Sequence, residues 1–80
     1  MDYYPWIRGI IAKELSMDEK EVVPEAHLLN DLGADSLALV TLAEAISGHY
    51  GIELVADDLV DTESVGELIK IVESRVSSKP

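Results

Sequence analysis

Ser36 lies between an acid and an apolar residue in the segment LGADSL, residues 32–37. Gly33 favours a turn, Asp35 is a good N-cap, and the apolar residues after the serine have helical spacing. The segment therefore predicts a hydroxyl in the first turn of a helix. The residues alone leave three interpretations of Ser36: a first-turn serine without chemistry, a hydrolase nucleophile, or a point of covalent attachment.

The nucleophile interpretation has little support. A strand–turn–helix elbow requires glycine two residues to either side of the serine, but those positions hold Ala34 and Ala38. His27 and His49 have no partner motif, and neither predicts a metal ligand. Covalent attachment suits the same residues better, because a serine after a long loop is reachable and the free N–H groups of a helix start favour a phosphate ester.

Helical spacing predicts the elements that position this serine. The predicted helices cover residues 3–15, 36–50, 56–61 and Ser64 onward. The apolar residues at helical spacing in the first are Trp6, Ile7, Ile10, Ile11 and Leu15. In the second, Leu37, Val40, Ala43 and Ile46 lie along one side, with Leu39 and Leu42 beside them. The fold class is therefore all-α, a small helical bundle of three main helices plus one short helix.

A long loop is predicted between helices one and two, over residues 17–35. The segment Ser16–Glu19 matches a capping box and predicts a helical turn inside that loop, and Ser64–Glu67 predicts the start of the last helix in the same way. One helical domain is expected over residues 1–76, followed by a frayed tail at 77–80.

The chain is strongly acidic. Its 80 residues include 16 acids and 6 bases, a formal net charge of -10, and no Lys or Arg lies between Lys20 and Lys70. Such a surface repels phosphate backbones and anionic headgroups, so nucleic acid and membrane insertion are not predicted. The alternative explanation of the acidity is that it only keeps a small protein in solution. The acids at 57, 58 and 61 lack EF-hand spacing and predict a solvated edge rather than a metal site. We expect a soluble, cytoplasmic monomer.

Across residues 3–76 the sequence resembles the stand-alone, type II acyl carrier proteins. LGADSL matches that family's 4'-phosphopantetheine attachment motif. VVPEA at 22–26 resembles the family's loop, and YGIEL at 50–54 resembles the end of its second helix. The resemblance implies a carrier, not an enzyme, with no catalytic residue of its own.

The resemblance also implies the roles of the residues near the motif. A phosphopantetheinyl transferase would attach the cofactor from coenzyme A to Ser36, with Asp35 and Leu37 positioning the serine and aiding recognition. The terminal thiol of the cofactor would hold acyl intermediates as thioesters in fatty acid or specialised lipid or polyketide-type biosynthesis. By the same resemblance, the partner-facing residues are Leu37, Val40, Thr41 and Glu44, and the acyl-pocket residues are Ile46, Leu54, Leu59, Thr62 and Leu68.

The second helix departs from the family pattern, which usually has several acids there. Glu44 is the only acid between Ser36 and Tyr50. We therefore predict a specialised carrier whose acyl-loading, elongating or transferring partners have basic or apolar docking patches. A divergent housekeeping carrier, a peptidyl or aminoacyl carrier, and an unmodified helical binding module remain alternatives.

Overall fold

A computed structural model describes residues 3–78, and every regular element in that range is helical. The elements are α1 (Tyr4–Leu15), a 3-10 turn (Glu19–Glu21), α2 (Ser36–Tyr50), α3 (Ala56–Val60) and α4 (Val65–Ser77). The prediction of an all-α bundle with three main helices, one short helix and a long loop before the second is confirmed. No helix within residues 3–78 is long and apolar enough to cross a membrane.

The end of α1 differs from the prediction. Ser16 has a left-handed backbone with φ of 53° and closes α1 as its C-cap. It therefore does not begin the next turn, and the predicted capping box at Ser16–Glu19 is wrong. Asp18 takes that role instead, because its Oδ1 accepts the N–H of Lys20 at 3.0 Å.

Local chemistry sets the ends of α2 and α4 as predicted. Asp35 caps α2, which ends at Gly51 with φ of 65°. Ser64 caps α4, with its Oγ accepting the N–H of Glu67 at 3.2 Å. In a complete capping box the Glu67 carboxylate would accept the N–H of Ser64. Here it accepts the N–H of Glu63, one residue earlier.

One apolar core joins the helices and the long loop. Each large side chain that folding removes from water contributes roughly 1.5–3 kcal/mol, so these residues hold the fold together. The most completely buried are Ile7 and Ile11 of α1, Val22 and Leu28 of the loop, Leu39, Leu42 and Ile46 of α2, Leu59 of α3, and Val65, Leu68 and Val72 of α4.

Three residues of the apolar stripes in the first two helices are exposed. Trp6 is 60% exposed, and its ring lies 5.8 Å from that of His49 on the surface. Leu37 is 74% exposed and Val40 is 44% exposed. Apolar residues occur all around α2. The face that is buried in the core is formed by Leu39, Leu42, Ala43 and Ile46.

The short helix α3 depends on its neighbours, because five residues do not form a stable helix alone. Its Leu59 is buried in the core. The loop before it is held to α2 by Ser47, whose Oγ donates to Leu54 O at 2.9 Å and accepts the Leu54 N–H at 3.0 Å.

The predicted tail at 77–80 lies partly beyond the described residues. Ser77 is the last residue of α4, and the N–H of Ser78 donates to Ser74 O at 3.1 Å. Residues 79 and 80 lie outside the described range, and the predicted domain boundary stays a prediction.

Candidate functional site

Ser36 is the first residue of α2, and its side chain is exposed. The loop reaches it through Gly33, whose φ of 69° lies in the left-handed region that favours glycine. Ala34 is buried, and its N–H donates to Leu28 O at 2.9 Å. The chain is therefore fixed at Ala34 and emerges to solvent at Asp35, Ser36 and Leu37, so all three predicted motif residues lie together on the surface.

The first turn of α2 suits a phosphate ester on Ser36. Asp35 Oδ1 accepts the N–H of Ala38 at 2.8 Å, which fixes the start of the helix. The amides of Ser36 and Leu37 have no acceptor within residues 3–78. These N–H groups and the positive end of the helix dipole favour an anion at this position. The residues present therefore fit a phosphodiester-linked group.

The four predicted partner-facing residues form one exposed surface, here called the α2 face: Leu37, Val40, Thr41 and Glu44. Their spacing of three, four and seven residues places them on one side of the helix. Thr41 Oγ1 donates to Leu37 O at 3.1 Å, so its methyl-bearing side chain stays close to the helix. The α2 face begins next to Ser36 and contains two exposed aliphatic residues and one charge.

The five predicted acyl-pocket residues are all buried: Ile46, Leu54, Leu59, Thr62 and Leu68. The four aliphatic members belong to the same core cluster. Thr62 satisfies its hydroxyl locally, donating from Oγ1 to Leu59 O at 2.7 Å. Thr62 also lines a surface cavity of about 290 Å³ beside α4, so it lies at a boundary between core and solvent.

The acids near α3 do not form a cation site within the described residues. No group of three or more metal-ligating side chains occurs in residues 3–78. Asp58 is bound to Arg75 of α4, and hydrogen bonds from Arg75 and then from the Val55 N–H hold the pKa of Asp58 below its usual value. Asp57 and Asp61 are exposed to solvent.

Sequence reasoning gave no role to His27, which closes the turn before the motif. His27 Nδ1 accepts the N–H groups of Leu29 and Asn30, both at 3.1 Å. The Asp31 carboxylate accepts the N–H of His27 at 2.7 Å. The sequence signal for this capped turn is a side-chain acceptor, His27, followed four residues later by an acid, Asp31. It was not recognised because histidine is not among the preferred capping residues.

Comparison with known proteins defines the class. A family model described as the phosphopantetheine attachment site matches residues 5–72. The chain is 36% identical over 70 residues to an acyl carrier protein of Thermotoga maritima, covering 88% of this chain and 86% of that protein. It is 37% identical over 67 residues to an acyl carrier protein of Helicobacter pylori strain G27, covering 84% and 86%.

The chain thus belongs to a class of small helical carriers that bear 4'-phosphopantetheine. Within that class it belongs to the acyl carrier protein family. The resemblance seen in the sequence is confirmed, and the function is to carry acyl groups on the cofactor. Members of this family are carriers that interact with a phosphopantetheinyl transferase and with acyl-handling enzymes.

Proposed function

We propose that 4'-phosphopantetheine is attached to Ser36. The main support is the position of this residue: an exposed hydroxyl at the start of α2, beside two amides without an acceptor in the described residues. In the reaction Ser36 Oγ attacks the phosphorus of coenzyme A that bears the pantetheine, with a phosphopantetheinyl transferase as catalyst. The new phosphodiester bond forms as the pyrophosphate P–O bond breaks, 3',5'-ADP leaves, and the hydroxyl proton passes to a base of the transferase. The bound cofactor supplies the thiol that carries the acyl group.

Asp35 and Leu37 have different roles in this proposal. Asp35 fixes the first turn through Ala38 and so sets the direction in which Ser36 points. Leu37 is 74% exposed next to the serine and gives the transferase an apolar contact. The carboxylates of Asp31 and Asp35 attract a basic transferase surface and increase its association rate.

The α2 face supports the proposal of a specialised carrier. Its only charged residue is Glu44, so a docking enzyme gains little from a row of cations and more from an apolar patch.

The five buried acyl-pocket residues are proposed to shelter the acyl chain when the core opens. The pathway in this proposal makes a specialised lipid or polyketide-type product, and a cytoplasmic location stays a prediction.

The attachment proposal is tested by intact mass. The chain is incubated with coenzyme A, magnesium and a broad-specificity phosphopantetheinyl transferase, beside Ser36→Ala and Ser74→Ala. Ser74 is an exposed serine of α4, so its variant controls for the loss of a surface hydroxyl. We expect one phosphopantetheinyl group on the unmodified chain and on Ser74→Ala, and none on Ser36→Ala.

Circular dichroism should show the same helicity for all three chains, because the Ser36 side chain is exposed and Asp35 provides the cap. A mass gain on Ser36→Ala would disprove the assignment. No gain on any chain, under conditions that load a known carrier, would favour the unmodified binding module.

A further inference from the structure

The turn at residues 27–32 is capped by an imidazole ring. His27 Nδ1 accepts from the amides of Leu29 and Asn30. The amides of Asp31 and Leu32 donate to His27 O at 2.9 and 3.0 Å. His27 therefore occupies the place in which a serine or aspartate ordinarily caps a helical turn.

This turn is connected to the attachment serine through two buried residues. Leu28 lies in the core, and its carbonyl accepts the N–H of Ala34 at 2.9 Å. Ala34 is also buried, and Asp35 follows it as the cap of α2. The direction in which the chain enters α2 is therefore set by a backbone bond to the turn that His27 caps.

The capping requires a neutral imidazole. A protonated ring carries N–H on both nitrogens and has no acceptor to offer. The amides of Leu29 and Asn30 would then face a third N–H group and lose their partner. Histidine is the side chain whose charge ordinarily changes between about pH 5 and 8, and gain of a proton at Nδ1 would remove the acceptor of both amides.

The start of α4 lies against the loop that contains His27. The start of α4 packs on the same loop, with the amides of Val65 and Gly66 donating to Ala26 O and Pro24 O, both at 2.9 Å. The charged groups at residues 22–35 and at the start of α4 are Glu25, Asp31, Asp35, Glu63 and Glu67. Of these, Asp31 contacts His27 directly, because its carboxylate accepts the N–H of His27 at 2.7 Å.

We propose that His27 is a positioning residue for the modification of Ser36: neutral His27 holds the turn that presents the serine, and protonation of His27 loosens that turn and slows attachment. This inference rests on the proposed role of Ser36. It gives the carrier a pH-dependent loading rate that arises in the carrier itself rather than in the transferase.

The test compares initial loading rates at about pH 5.5, 6.5 and 8 for the unmodified chain, His27→Asn, His27→Ala and His49→Asn. Asn keeps a capping acceptor that does not titrate. Dividing each rate by that of His27→Asn at the same pH removes the pH dependence of the transferase. We expect the rate ratio of the unmodified chain to fall several-fold as the pH is lowered. The ratio of His49→Asn should fall in parallel. The ratio of His27→Ala should be low at every pH.

A ratio for the unmodified chain that stays constant with pH would overturn the proposal, as would normal loading of His27→Ala at the highest pH. Nuclear magnetic resonance of the apo protein provides a second readout that does not depend on Ser36. We expect Nδ1 of His27 to be unprotonated at high pH, and the amide protection of Leu29 and Asn30 to fall as the ring gains its proton. A protonated Nδ1 at high pH would refute the role of His27 even if Ser36 is loaded.

Discussion

Arg75 in α4 contacts both carboxylate oxygens of Asp58 in α3, at 2.9 Å from Nη2 to Oδ1 and at 3.2 Å from Nη1 to Oδ2. Nη1 also donates to Glu53 O at 2.6 Å. The Asp58 carboxylate in turn accepts the N–H of Val55 at 3.0 Å. One side chain of the last helix thus fixes the start of α3 and the loop that leads to it.

Replacing Arg75 with lysine should destabilise the protein by about 1 kcal/mol. A lysine presents one point charge and cannot make the bidentate contact of a guanidinium. The loss is limited to this size because solvent screens part of the interaction of a pair that is not fully buried. Urea denaturation measures the change. Lys70→Ala is the control: it removes a base of α4 that forms no ion pair within the described residues, and we expect a change within about 0.5 kcal/mol.

The same pair predicts how stability depends on pH. The pKa of Asp58 is lowered in the folded state, chiefly by the hydrogen bonds from Arg75. Its stabilising effect is therefore present above the unfolded-state pKa of about 3.9 and is lost as pH falls through the lower folded-state pKa.

Denaturation of the unmodified chain and of Asp58→Asn from neutral pH to about pH 3 measures this contribution. We expect a constant stability difference above about pH 5 and a shrinking one below about pH 4. Asp57→Asn, which changes an exposed acid of the same helix, should follow the unmodified chain. A difference for Asp58→Asn that is as large at the lowest pH as at neutral pH would contradict the assignment.

Local signals made much of this fold predictable from the sequence. Asp35 and Ser64 act within one turn of their own positions, and they mark the starts of α2 and α4 as the sequence indicated. The exposed position of Ser36 followed from the same signals. The family motif added the chemistry that spacing alone left open.

The remaining features depend on contacts that no local pattern encodes. Arg75 and Asp58 are seventeen residues apart in sequence, and they meet only after α3 and α4 pack. In α2 the apolar residues surround the helix, so periodicity did not distinguish the buried Leu39 from the exposed Leu37 and Val40. His27 was missed because its ring acts through a turn whose shape the loop composition does not specify.

The orientation of α2 is tested by truncating two of its apolar residues. Ile46 is completely buried, so Ile46→Ala should cost about 2–5 kcal/mol, a large part of the stability of so small a domain. Leu37→Ala removes a side chain of similar size from the exposed face and should change stability by less than about 0.5 kcal/mol. Urea denaturation of both variants makes the comparison, and equal losses would contradict the orientation.

The composition of the α2 face predicts which enzymes use the carrier. Adding acids there through Val40→Glu and Thr41→Glu should raise kcat/KM with fatty-acid elongation enzymes that have basic docking surfaces, because opposite charges increase the association rate. Both residues are exposed, so stability should change by no more than about 0.5 kcal/mol. The gain should shrink as salt is added, since exposed charges are screened over about 10 Å at 0.1 M ionic strength.

Val40→Gln and Thr41→Gln are the matched controls, because glutamine has the shape of glutamate without its charge. If the gain is electrostatic, these variants should stay at the level of the unmodified chain and show little salt dependence. The unmodified chain should be a slow substrate for the housekeeping enzymes at every salt concentration. Fast turnover of the unmodified chain, with no gain from either glutamate, would show instead that an apolar α2 face is compatible with ordinary fatty-acid synthesis, and the specialised-carrier proposal would then fail.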